Sequence, residues 1–396
     1  MLEGPGRINI DACLQLPRIK DLSRATGRKK QTPLGTNPGH GDAVSRYDAI
    51  VVGSGPNGLA AAIRLAQAGW SVLVREAAGT IGGGCRSAEL TLPGFTHDVC
   101  SAVHPLALAS PFFRSLPLER YGLEWIQPPV PLAHPLDDGP PALLERDIKA
   151  TSATLGHDAQ AYQKLIEPLR RDWDAIVREV LRPMIHLPRS PLPLARFGLS
   201  AIRSARGLIE SRFRGDRAKA LFAGIAAHSL APLEAPGTAA FGLMLGIAGH
   251  TAGWPIARGG SQRIANALLA HLRTLGGEIE TGAPVRTLDE LPTARAVVLD
   301  VSPRQLVEIA GDRLPARYRR RLGRFRHGPG VFKIDWALDG PVPWRWDVCT
   351  RAGTLHLGGS FEEIARAERL PWEGVHADRP FVLFVQPSNF DPSRAP

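Results

Sequence analysis

Tyr47-Asp-Ala-Ile-Val-Val-Gly53-Ser-Gly55-Pro-Asn-Gly58-Leu-Ala-Ala-Ala62-Ile-Arg-Leu-Ala-Gln-Ala-Gly69-Trp-Ser-Val-Leu-Val-Arg75-Glu76 is the stretch that decides the fold. Its first run is short, β-branched and stopped by glycine, which predicts a buried strand. Asn57 to Ala68 places Leu59, Ala62, Ile63 and Ala66 at helical spacing, and Gly69 ends the helix. Ser71 to Arg75 is a second apolar strand. Strand, helix and strand at this spacing make one βαβ unit, so the sheet is parallel.

The turn between the first strand and its helix reads Gly53-Ser54-Gly55-Pro56-Asn57-Gly58, a G-x-G-x-x-G. Gly53 permits the tight turn, Gly55 lets backbone approach a pyrophosphate, and Gly58 lets helix and strand pack closely. The helix N-terminus then offers N–H groups and a positive dipole end to two phosphates. Glu76 follows the second strand, where a carboxylate accepts hydrogen bonds from ribose hydroxyls and repels a 2′-phosphate. The expected dinucleotide is therefore FAD or NAD rather than NADP. The bland alternatives are a ligand-free glycine turn and a solvated strand-end charge.

Gly79-Thr-Ile-Gly82-Gly83-Gly84-Cys85-Arg86 follows at once. Gly82 to Gly84 let bare backbone approach a cofactor, and Arg86 can offset phosphate charge. An NAD dehydrogenase has no need of this second glycine cluster, whose other reading is a surface loop.

Composition limits the remainder. The 396 residues suffice for two cores, and 44% hydrophobic with 22% charged residues is ordinary globular usage. The net charge of +10 is dispersed and accompanied by no nucleic-acid motif, which argues against a nucleic-acid partner. Cys13, Cys85, Cys100 and Cys349 form no C-x-x-C pair, against a zinc site or dithiol centre and towards a reducing compartment: cytoplasm, or the mitochondrial matrix in a eukaryote. Residues 1–45 read as a flexible basic arm, with organelle targeting as the alternative.

Downstream, Asp158 to Val180 and Leu194 to Ala223 read as helices, and residues 259–301 as a second α/β piece. The basic stretch 194–213 suggests an interfacial helix, with Leu194, Phe197, Ala201 and Leu208 as an apolar stripe over anionic lipid. A solvated basic helix is the competing expectation. His97, Asp98 and His104 invite an acid–base or metal reading but lack ligand spacing, so structural hydrogen bonding is preferred. His228 and His250, in small apolar surroundings, read as pocket lining or satisfied core groups. No side-chain catalyst is expected where a redox cofactor carries the chemistry itself.

The segments GFTHDVCSAVHPL from Gly94, HPLDDG from His134, GHTAGWPIARGGSQRIANAL from Gly249, FKIDWALDGPVPW from Phe332 and QPSNFDPSRAP from Gln386 add a resemblance. Together with the glycine motifs they resemble the carotenoid and retinoid oxidoreductase (phytoene desaturase-like) flavoproteins, in the branch called pyridine nucleotide-disulfide oxidoreductase domain-containing protein 2. The resemblance implies an α/β fold: a Rossmann-type FAD-binding domain with a parallel sheet, from 46–110 and 254–302, and a mixed α+β substrate domain from 111–253 and 303–396. It further implies FAD as cofactor, backbone around Val285 near the adenine, and hydride transfer from a lipophilic, isoprenoid-like substrate. Members continue past the equivalent of Pro396 with a segment that completes the flavin contact, so the resemblance also implies a fragment or a truncated product. A non-catalytic nucleotide-binding or partner-binding relative and an NAD-dependent dehydrogenase stand as alternatives.

Overall fold

The structure is a computed structural model that describes residues 47–183 and 185–396; the arm expected at 1–45 lies outside them. The main elements run in chain order as follows. Strand β1 is Tyr47–Val52, helix α1 Pro56–Gln67, β2 Val72–Arg75, β3 Ser87–Glu89, β4 Thr96–Asp98, β5 Val130–His134 and β6 Ala142–Leu144. Helices α2 (Ala159–Arg171), α3 (Trp173–Val180), α4 (Pro191–Ala201), α5 (Ala205–Arg212), α6 (Asp216–Ala226) and α7 (Thr238–Thr251) follow. Helix α8 (Gln262–Thr274), β7 (Glu278–Glu280), β8 (Ala294–Leu299), β9 (Ala352–Leu357) and β10 (Val382–Val385) complete the set.

Two four-stranded sheets organise these elements. The first has the order β8-β1-β2-β7, all parallel, with Ile50 opposite both Leu73 and Val297. The second α/β piece thus joins the first sheet, a pairing between distant segments that periodicity alone leaves open. Ala49, Val51, Val72 and Val74 bury one face of this sheet against Leu59, Ile63, Ile264 and Leu268 of α1 and α8, while Ile50 and Leu73 pack on the other. Both faces are covered, which explains why β1 and β2 are continuous apolar runs rather than alternating ones. The second sheet is mixed, with the order β10-β9-β5-β6 and parallel pairing only between β9 and β5. The architecture is α/β: a Rossmann-like dinucleotide-binding part with a parallel sheet, accompanied by mixed α and β structure.

Three expectations need correction. Asp158 to Val180 is two helices, α2 and α3, divided at Asp172. Leu194 to Ala223 is spread over three, because Ser204 caps α5 through its hydroxyl to the Gly207 N–H and Gly215 stands as the N-cap of α6. The stripe expected to face lipid also turns inward. Phe197, Ala201 and Leu208 are core residues and Leu194 is half-buried, so these side chains meet the helical core rather than a membrane.

Candidate functional site

The β1–α1 turn has the shape that its glycines require. Gly53 sits at φ +104°, and a Cβ on it would lie 2.6 Å from the Asp300 carbonyl oxygen. A Cβ on Gly58 would lie 2.2 Å from the Gly53 carbonyl oxygen, so α1 approaches the turn too closely for any side chain. Gly55 differs. It is the N-cap of α1 with φ −62° and ψ 168°, a conformation open to any residue, and an added Cβ would meet only Asp300 Oδ2 at 3.3 Å. Its torsions therefore do not by themselves demand glycine. Ser54 is buried, Pro56 is the first helical residue and Asn57 is exposed on the first turn.

Pro56 has no N–H, so the first-turn donors of α1 are Asn57 and Gly58. The Gly58 N–H donates to Asp300 Oδ2 at 2.8 Å. Asp300 follows β8, and its own N–H donates to the Val52 carbonyl, which fixes it beside the turn. The sequence reading missed this residue. Its carboxylate takes one helix donor and sets a negative charge where phosphates are expected.

Glu76 closes the other side of the turn. Its Oε2 accepts from the Ser54 N–H at 2.9 Å and from the Ser54 hydroxyl at 2.5 Å, and its Oε1 accepts from the Ala78 N–H at 2.9 Å. Burial pushes its pKa up, but these hydrogen bonds outweigh burial and hold it below the ordinary carboxylate range. Glu76 is therefore an ionised acceptor, and a carboxylate with about four lone-pair sites retains capacity for ribose hydroxyls. The Ala283 N–H donates to the Glu76 carbonyl and the Gly282 N–H to that of Ala78, so residues 282–283 run alongside. Val285 lies just beyond, packed on the Tyr47–Ile50 face of the sheet.

The second glycine cluster meets the first. The Gly82 N–H donates to the Ser54 carbonyl at 3.1 Å, and a Cβ on Gly83 would lie 3.1 Å from Gly55 Cα. Gly82 and Gly83 both have positive φ, of 112° and 52°. Gly84 is exposed beside Cys100, and Arg86 turns its Nε back to donate to the Gly83 carbonyl at 3.0 Å. Next to this doubled turn opens an apolar cavity of about 290 Å³ lined by Pro56, Cys85, His104, Phe113, Leu181 and Ile264. Burial raises the Cys85 thiol pKa, so this cysteine stays protonated and has no thiolate chemistry to offer.

His97, Asp98 and His104 part company. His97 binds the Thr91 hydroxyl on an exposed hairpin. Asp98 is buried, accepting from the Ser87 hydroxyl and the Ser261 N–H and pairing with Arg394 at 2.6 Å. Arg394 also donates to Asp391 and to the Ala257 carbonyl, and Asp391 accepts from the Gly259 N–H, so one buried guanidinium ties the 391–394 turn to the α8 entry. His104 alone faces the cavity. Its Nε2 lies 2.8 Å from Ser261 Oγ, whose hydroxyl donates to the Ser101 carbonyl; Nε2 is therefore the donor, and burial brings the His104 pKa down to about 4. His250 binds the Tyr162 hydroxyl in the core, while His228 and His356 meet through their Nε2 atoms 3.1 Å apart, the rings tilted by 52°. Among the described residues no cluster of three or more His, Cys, Asp or Glu is arranged to hold a metal, and no helix is long and apolar enough to cross a membrane.

Comparison with known proteins places this geometry. Residues 51–114 match the family model described as an NAD(P)-binding Rossmann-like domain. The chain is 24% identical to the mouse (Mus musculus) pyridine nucleotide-disulfide oxidoreductase domain-containing protein 2 over 428 residues, covering 88% of this chain and 71% of that protein. The solved structure of the PF1083 protein from Pyrococcus furiosus aligns with a TM-score of 0.50 at 17% identity, covering 88% of this chain and 76% of that one. An oxidoreductase from Methanosarcina mazei gives a TM-score of 0.49 at 20% identity over 71% of this chain and 65% of its own, so this chain spans just under two thirds of it. The chain carries a Rossmann-like dinucleotide-binding fold and is similar, over most of its length, to the mouse protein.

Proposed function

We propose that the chain is an FAD-dependent oxidoreductase acting on a lipophilic substrate. The observation that carries this reading is the doubled glycine turn. Gly55 and Gly83 bring two bare backbones together beside an ionised Glu76, and the cradle opens onto an apolar cavity. Gly53 to Gly58 and the first turn of α1 would hold the pyrophosphate, Glu76 the ribose, and the stretch from Gly83 to Arg86 the far side of the cofactor. Residues 282–285 would border the adenine. FAD held there supplies a two-electron acceptor for hydride from the substrate.

The chain's own residues set the conditions for that chemistry. Phe113 and Ile264, with the exposed Leu181 at its rim, give the cavity an apolar wall that favours a hydrocarbon-like substrate. His104, neutral at physiological pH and fixed by Ser261, is a positioning group on the cavity wall rather than a proton carrier. A phytoene desaturase-like activity is the finer form of this proposal. Its support is the sequence motifs around Gly94 to Pro105 and Gly249 to Leu268. Titrating the purified chain with FAD tests the cofactor, and Glu76→Ala should weaken the complex by about 1.5–3 kcal/mol, the worth of a charge-assisted hydrogen bond. An unchanged affinity would remove Glu76 from the ribose site.

A further inference from the structure

Phe332-Lys-Ile-Asp-Trp-Ala-Leu338 plays no part in the glycine cradle or the cavity beside it. Phe332, Ile334, Trp336 and Leu338 alternate with Lys333, Asp335 and Ala337, which is the period of a strand. All four are exposed, Phe332 to 90%. Among the described residues this stretch is paired into no sheet, so its backbone N–H and C=O groups are open to a partner. The segment is nonetheless held: Trp336 lies beside Phe384 of β10, and Asp335 pairs with Lys333 and sits 3.5 Å from His97. With Phe325 and Val331, six large apolar side chains are exposed within residues 325–338, more than the scattered exposure normal for a monomer.

The residues leading into this stretch are strongly basic. No carboxylate occurs from residue 313 to 334. Arg313 and Arg319 are paired with Asp289 and Asp312, and Lys333 with Asp335. Arg317, Arg320 and Arg321 on the helix Ala316–Gly323, and Arg324 and Arg326 just beyond it, are exposed and have no ion-pair partner among the described residues. Against these five stands Asp339, an exposed carboxylate past the apolar run. Charge argues against two occupants. A two-fold dimer through this face would set the arginines against their own copies, and the chain's 1–45 arm is itself basic. We infer that residues 317–338 dock an acidic segment of another protein, added as an extended strand, with its carboxylates on the arginines and its apolar side chains against Phe332, Ile334 and Trp336. Val331, Ile334 and Leu338 are aliphatic, which suits a polypeptide better than bases seeking aromatic platforms. The inference is independent of the cofactor reading.

Fluorescence anisotropy with labelled peptides tests it on the full chain. One probe of about twelve residues alternates glutamate with valine, and a second of equal charge alternates glutamate with serine. The valine probe should bind about tenfold more tightly than the serine probe, and both should weaken as salt is raised. Arg320→Gln combined with Arg324→Gln should weaken both probes by about tenfold. Phe332→Ser should weaken the valine probe by about threefold or more and leave the serine probe unchanged. These side chains are exposed, so thermal melts should match the wild type. Arg273→Gln, on the exposed side of α8, should bind as the wild type does. A wild-type chain that does not bind the valine probe overturns the inference, as does equal binding of the two peptides or a double arginine variant of unchanged affinity. An oligothymidylate of the same charge that binds more tightly than the valine probe would assign the surface to nucleic acid and overturn the protein docking.

Discussion

Substituting Gly55 by alanine separates a glycine kept for a ligand from one kept for the fold. In the structure Gly55 already has side-chain-compatible torsions, and the new methyl would touch only the end of the Asp300 carboxylate at 3.3 Å. The carboxylate must give by a few tenths of an ångström while keeping its bond from the Gly58 N–H, so the stability cost should be about 1 kcal/mol, or about 2 °C in Tm for a chain of this size. The same methyl would stand where a pyrophosphate must meet the start of α1. Losing one or two charge-assisted hydrogen bonds there corresponds to about 2–3 kcal/mol, a 30- to 150-fold weaker complex by rough conversion. Gly58→Ala is the counterpart. Its methyl would lie 2.2 Å from the Gly53 carbonyl oxygen, so backbone must shift, at about 3 kcal/mol or more. Thermal denaturation without cofactor and titration with FAD read the two effects apart. A Gly55→Ala chain that binds FAD as the wild type does, or a Gly58→Ala chain of unchanged stability, would refute the division of roles.

Asp300→Asn keeps an acceptor for the Gly58 N–H while removing a negative charge from the phosphate turn, so FAD affinity should rise by about three- to tenfold; calorimetric titration checks it, and equal affinity would place the carboxylate's field elsewhere. Arg394→Met strands Asp98 and Asp391 in the interior and should destabilise the fold by about 3–5 kcal/mol in urea unfolding, whereas a smaller loss would mean the pair is hydrated. Burial brings the pKa values of His104, His134, His228 and His250 down to about 4, against about 6.5 unfolded. As pH falls the unfolded chain takes up protons first, so stability is full above about pH 6.5 and is lost between there and about pH 4, by up to about 1.4 kcal/mol per pH unit for each histidine. Equal urea midpoints at about pH 7.5 and about pH 5 would contradict this.

The parts of the molecule legible in the sequence were those whose physics is local. Residues 47–76 carry their strand, helix and strand in one unbroken pattern, and Gly53 and Gly58 announce a turn that no side chain can enter. Asp300 was not legible, because it joins the Gly58 N–H from 242 residues away and only sheet topology brings β8 beside β1. Arg394 was not legible either, because it closes a buried ion cluster with Asp98, 296 residues distant. The basic helix failed for a different reason. Phe197, Ala201 and Leu208 form an apolar stripe at the right spacing, and such a stripe defaults to the core; the outward set of Leu192, Leu199 and Ile202 emerges only once the buried side is known.

Cofactor retention tests the flavoprotein proposal most directly. The visible absorption spectrum of the purified chain, recorded before and after incubation with excess FAD and desalting, should show flavin bands at near one per chain. A colourless protein that stays colourless after incubation would contradict the flavoprotein reading and leave a Rossmann-like fold without its proposed chemistry.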